Sequence, residues 1–143
     1  MIYIDAAALV KMIREEAETA SLIAWLNEHP DDQLVASVLV EVEVPRALRR
    51  DQPQVLGAVA TTLGRLVRFD LDAAVRATAA AYVDPQLRSL DAIHLATADH
   101  LVASGKAMTA FVTYDKRLGA AAADAGHNVV APGSGNVRTR PRR

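Results

Sequence analysis

A chain of 143 residues that is 51% hydrophobic and 23% charged has the composition of one globular domain and is not an intrinsically disordered polymer. The absence of cysteine excludes disulfide scaffolds and thiolate zinc sites, and no apolar run reaches the ~18 residues of a membrane helix. The net charge of −1 hides an asymmetry: Arg138, Arg140, Arg142 and Arg143 put +4 on the last eleven residues, which leaves −5 on residues 1–132.

Met1 leads straight into strand-like sequence with no basic leader or cleavage site, so a cytoplasmic protein is expected. The first strand, Met1–Asp5, ends on a carboxylate and runs into helix-forming residues. Leu22, Trp25 and Leu26 form an apolar stripe on a second helix, read first as core and second as a groove for a partner helix. A strand over Gln33–Ser37 precedes a helix over Val38–Arg50, in which Pro45 predicts a bend near Val42. Val55, Val59, Leu63 and Leu66 recur at helical spacing, and Leu66–Phe69 reads as the third strand. Leu71, Val75, Thr78 and Tyr82 mark another helix. The segment SLDAIHLATADHLVASG follows, with Ser89 as N-cap and Gly105 as stop. Ala110–Tyr114 is the fourth strand, KRLGAAAADAG a helix stopping at Gly126, and His127–Ala131 the fifth strand. Residues 51–53 and 84–85 are loops inside one domain spanning 1–132, and 133–143 form a basic, flexible tail. This alternation predicts an α/β fold with a mainly parallel sheet.

Four carboxylates stand at junctions rather than on ordinary solvent faces: Asp5, Glu43, Asp91 and Asp115. Singly, Asp5 and Asp115 are good N-caps, Asp91 complements a helix dipole and Glu43 is a surface charge. Jointly they suggest a site, because ligands of open parallel sheets bind beyond the carboxyl ends of the strands. Carboxylates crowded there repel one another, and a hard divalent cation removes the conflict. An all-oxygen set fits Mg²⁺ or Mn²⁺ better than Zn²⁺, and such an ion assists phosphodiester hydrolysis.

At these residues the chain resembles the PIN-domain family, and within it the VapC toxins of toxin–antitoxin pairs. The matching stretches are YIDAAALVK, ASVLVEVEVPRALRR, LDAIHLATA and FVTYDKRLGAAAADAG, in the family's order over residues 3 to 132. The resemblance implies a three-layer α/β/α domain and a Mg²⁺- or Mn²⁺-dependent endoribonuclease that cuts structured RNA such as tRNA or rRNA. It implies metal-binding acids at Asp5, Glu43, Asp91 and Asp115, with Thr113 and Ser37 as polar neighbours. A homodimer and a cognate VapB-type antitoxin are implied partners.

Glu41 and Glu43 point ~200° apart on a helix, and the resemblance implies Glu43, because EVPRAL fits the Glu-x-x-Arg-Ala-Leu spacing that marks the family's acid. Asp99 lies ~12 Å along the helix from Asp91 and is expected to orient a water or to be solvated. His94 is expected to pack or to support the acids, and Lys11 and Arg46 are candidate contacts for RNA phosphates, as is the arginine-rich tail. Where the family often has a hydroxyl after its first aspartate, this chain has Ala6 and Ala7. That departure supports the alternative, a catalytically silent PIN module that binds RNA or protein. A flavodoxin-like phosphoacceptor domain ranks lower, because Asp5 stands alone and NVVAPG has no lysine.

Overall fold

A computed structural model describes residues 1–135. Five strands, β1 (Ile2–Ile4), β2 (Leu34–Ser37), β3 (Val67–Phe69), β4 (Ala110–Val112) and β5 (Val129–Val130), form one sheet in the order β3-β2-β1-β4-β5. Every pairing is parallel, with Tyr3 beside Val35 on one side and beside Phe111 on the other. The helices are α1 (Ala6–Ile13), α2 (Thr19–Asn27), α3 (Val40–Asp51), α4 (Val59–Leu63), α5 (Ala73–Ala81), α6 (Ser89–Ala103) and α7 (Lys116–Asp124).

The period-two alternation of a strand divides the core. Ile2 and Ile4 face a cluster with Leu9 of α1, Leu22 of α2, Val44 and Leu48 of α3 and Leu63 of α4. Tyr3 faces the other cluster, with Leu95 and Leu101 of α6, Phe111 of β4 and Leu118 of α7. The result is the three-layer α/β/α arrangement expected, with β1 and β4 buried on both faces as in other parallel sheets. Leu22 is fully buried, and Trp25 and Leu26 pack against the first cluster, so the α2 stripe serves as core.

Several boundaries differ from expectation for local reasons. Pro45 sits inside α3, which begins at Val40 and continues without interruption to Asp51. Pro45 is its sixth residue, past the first turn, and the expected break near Val42 does not interrupt the helix. Ser89 is the first helical residue of α6 rather than its cap; Arg88 takes the cap position without a side-chain hydrogen bond. The periodic run from Val55 to Leu66 splits into a 3-10 turn (Pro53–Ala58) and the short α4. Gly105 and Gly126 do close their helices, at φ +90° and +94°, where a side chain would be strained. The fifth strand shrinks to Val129–Val130. Past it, Pro132 accepts a hydrogen bond from Tyr114 Oη at 2.8 Å. The tail arginines Arg138, Arg140, Arg142 and Arg143 lie outside the described residues. Among those described, no helix is long and apolar enough to cross a membrane.

Asp99 is half-buried, and both of its oxygens have protein partners. Its two oxygens accept from Tyr82 Oη at 2.5 Å and pair with His127 Nε2 at 2.6 Å, tying α5, α6 and the approach to β5 together. Burial alone would raise its pKa, but the His127 and Tyr82 hydrogen bonds outweigh it and hold the carboxyl below its ordinary value. A depressed folded-state pKa adds stability above the unfolded value and loses it as pH falls through the folded one. Asp99→Asn therefore lowers stability at neutral pH by ~1–3 kcal/mol. The gap between variant and wild type narrows on acidification below the ordinary carboxylate range. Urea unfolding at several pH values measures both effects.

Candidate active site

The strand order turns back on itself between β1 and β4: successive crossovers run outward through β2 and β3 on one side, then through β4 and β5 on the other. In open parallel sheets the crevice at the carboxyl ends of two such strands is the ligand site. Asp5 follows β1 and Thr113 and Asp115 follow β4, so three of the predicted polar residues line this crevice.

Asp5 does two jobs. Its Oδ1 caps α1 by accepting from Ala8 N–H at 2.9 Å, and its Oδ2 accepts from Thr113 Oγ1 at 2.6 Å across the switch point. Thr113 Oγ1 in turn accepts from Asp115 N–H at 3.1 Å. The hydroxyl that Ala6 and Ala7 cannot supply thus comes from β4, 108 residues away. The Asp5 side chain is 4% exposed. Burial raises its pKa, the Thr113 and Ala8 hydrogen bonds oppose that rise, and the charge on Glu43 adds to it. Capping and charge storage coexist in one residue.

Asp115 caps α7 through Oδ1, which accepts from Arg117 N–H at 2.8 Å and Leu118 N–H at 3.0 Å. Asp91 lies in the first turn of α6. Burial raises its pKa and the Asp115 charge raises it further, while a hydrogen bond at Arg88 opposes the rise. Glu43, early in α3, places Oε1 2.7 Å from His94 Nε2. Its neighbour Glu41 turns away to an ion pair with Arg68 at 2.8 Å, as the ~200° separation requires.

Asp5 feels the charge of Glu43, and Asp91 feels that of Asp115. A charge on the His94 ring would pull both Asp5 and Asp91 down. Among the described residues, no three His, Asp or Glu side chains stand where they could hold one ion as placed. The donor chemistry nevertheless fits a hard cation: every carboxylate offers oxygen, and burial with a neighbouring acid raises the pKa of both Asp5 and Asp91.

The other predicted residues separate. Ser37 does not hydrogen-bond any of the acids; its Oγ accepts from Leu39 N–H at 3.2 Å and shapes the turn into α3. Lys11 is already engaged, with Nζ 3.0 Å from Glu18 Oε2, 3.7 Å from Glu16 Oε2 and 4.9 Å from the Tyr114 ring centroid. Arg46 is exposed on α3. Tyr3 went unnoticed in the sequence, where it reads as one more strand residue. Its Oη lies 2.7 Å from His94 Nδ1 and accepts from Ser37 N–H at 3.2 Å. The available signal was a phenol in a central buried strand, because a buried hydroxyl needs a partner. With Thr113→Val, Asp5 Oδ2 and the Asp115 amide both lose their partner. The expected cost is ~1–3 kcal/mol, read as a lower denaturant midpoint.

A model described as PIN domain matches residues 2–124. Ribonuclease VapC35 of Mycobacterium tuberculosis is 51% identical over 133 residues, covering 93% of this chain and 98% of the relative. Ribonuclease VapC47 of the same species is 36% identical over 137 residues, covering 94% and 98%. Ribonuclease VapC46 is 37% identical over 132 residues, covering 92% and 97%. With this fold, this acidic switch point and this near full-length similarity, the chain belongs to the PIN-domain family, in its VapC branch.

Proposed function

We propose that this protein is a VapC-type toxin, an endoribonuclease that hydrolyses phosphodiester bonds of structured RNA, tRNA or rRNA, and is silenced by a VapB-type antitoxin. Asp5, Glu43, Asp91 and Asp115 are its metal ligands, and it acts as a homodimer in the cytoplasm. The observation that carries the reading is Asp5: a carboxylate buried at the β1/β4 switch point, bonded to Thr113, with its pKa raised by burial and by Glu43. Capping α1 needs only one of the two oxygens, and a buried carboxylate of this kind at a ligand-binding edge supports a site for a cation.

Asp5, Glu43, Asp91 and Asp115 would hold Mg²⁺ or Mn²⁺, which would supply Lewis acidity for attack on phosphorus. The protein's own part is preorganisation. Ala8 N–H and Thr113 Oγ1 fix both oxygens of Asp5, and the Arg117 and Leu118 amides fix one oxygen of Asp115. The amino-terminal ends of α1, α6 and α7 face the same sheet edge, where their dipoles favour a phosphate. Arg46, exposed on the helix that carries Glu43, is the proposed contact for the RNA backbone.

The test is incubation of the purified protein with tRNA and rRNA in Mg²⁺ or Mn²⁺, with and without EDTA. Cleavage that stops in EDTA is expected. Cleavage that persists in EDTA removes the ion from the reading, and RNA binding without cutting favours the silent PIN module.

A further inference from the structure

The relay behind Glu43 has no part in the reading above, and its geometry is specific. Tyr3 is fully buried on the central strand, stacked on Phe111 with ring centroids 4.9 Å apart and planes 14° from parallel. That ring has no room to turn. His94, 2% exposed on α6, meets it edge-on at 5.9 Å and 78°. The chain of contacts runs from Ser37 N–H to Tyr3 Oη at 3.2 Å, to His94 Nδ1 at 2.7 Å, and from His94 Nε2 to Glu43 Oε1 at 2.7 Å.

The polarity of this chain follows from counting protons. A phenol has one. The Ser37 amide can only donate, so it occupies an acceptor direction of Tyr3 Oη. In the tautomer that satisfies both contacts, the phenol donates to His94 Nδ1 and the ring N–H at Nε2 donates to Glu43 Oε1. Among the described residues Glu43 Oε2 makes no hydrogen bond, so one oxygen is held and the other is presented.

We infer that Tyr3 and His94 are positioning residues that fix the Glu43 carboxylate through the Tyr3–His94–Glu43 hydrogen-bond chain, so that one defined oxygen serves the ion. The inference rests on the metal reading of the site. Glu43 is a long, half-buried side chain whose orientation is otherwise unconstrained, and partners behind a ligand typically change metal affinity by ~10–100-fold. Tyr3 and His94 touch neither substrate nor ion; they act through Glu43.

The test is calorimetric titration of the full-length protein with Mn²⁺, alongside thermal melting without metal. Tyr3→Phe keeps the ring and removes only the hydroxyl, so Mn²⁺ binding weakens by about 10-fold. His94→Leu weakens it at least as much, and His94→Gln, which retains an N–H toward Glu43, recovers part of the loss. In a Glu43→Gln background, Tyr3→Phe has no further effect on Mn²⁺ affinity. A purely structural role would lower the melting temperature and leave Mn²⁺ affinity unchanged, or weaken binding equally in both backgrounds; either result overturns the inference. Should His94→Leu fail to fold, Tyr3→Phe and His94→Gln carry the comparison. Wild-type protein that binds no Mn²⁺ removes the metal reading and the positioning role with it, whereas wild-type binding with unaltered Tyr3→Phe affinity removes the positioning role alone.

Discussion

Asp5→Asn abolishes RNA cleavage and leaves the protein at least as stable as before. The two halves of this expectation come from the same observation. Asparagine keeps the Oδ1 that caps α1 through Ala8 N–H, and its amide can donate to Thr113 Oγ1 in place of the bond now accepted by Oδ2. The lost item is the charge. Burial and then Glu43 act to raise the Asp5 pKa. A raised folded-state pKa means stability that is present below the ordinary carboxylate range and is lost as pH rises through the folded value. At neutral pH the ionised group therefore opposes folding, and its removal relieves that cost. Cleavage falls by at least ~100-fold, the upper end of what loss of a mere supporting partner costs a metal site. Cleavage assays paired with thermal melts in EDTA check both halves. A variant that cleaves normally, or loses cleavage only because it unfolds, would reduce Asp5 to a helix cap.

Phe111→Ala carries the largest expected loss of stability. Phe111 is fully buried on β4, stacked 4.9 Å from Tyr3 and 5.7 Å from the His127 ring. Truncating a buried phenylalanine costs ~3–5 kcal/mol, transfer and cavity terms together. That is a large share of the ~5–15 kcal/mol that holds a domain folded. Because Phe111 joins the central strand to the strand bearing Thr113 and Asp115, the damage also reaches the crevice. Urea denaturation reports a lower midpoint at unchanged slope, the sign that stability fell without a change in the surface exposed. A loss under ~1 kcal/mol would mean that the site collapses around the gap.

How legible this site is from sequence depends on how local the determining contacts are. Asp5 and Asp115 can be placed because a strand ending on aspartate before a helix puts that carboxylate at the carboxyl edge of a parallel sheet. Helical angle says that Glu41 and Glu43 cannot share a face, the family's spacing picks Glu43, and the structure turns the two toward Arg68 and His94. Gly105 and Gly126 signal their helix ends through the positive φ that a cap needs. The strand order is different: which strand lies beside β1 depends on crossovers that no local pattern encodes. The Thr113–Asp5 bond spans 108 residues and the Tyr3–His94 contact spans 91. Both arise only when β1, β4 and α6 pack together. Asp99 shows the reverse error. Helical geometry rightly separated it from Asp91, yet its partners Tyr82 and His127 come from elements 17 and 28 residues distant. Ser37 and Lys11 are polar residues whose bonds are spent locally, on Leu39 and on Glu16, Glu18 and Tyr114.

A crystal of the wild-type protein soaked in Mn²⁺ and measured at an anomalous wavelength bears on all of this at once. The expected map has an anomalous peak in the β1/β4 crevice, ~2.1 Å from oxygens of Asp5 and of at least two of Glu43, Asp91 and Asp115. No peak there under saturating Mn²⁺, or one coordinated elsewhere on the chain, would leave these carboxylates as helix caps and surface charges and take the ion out of the chemistry.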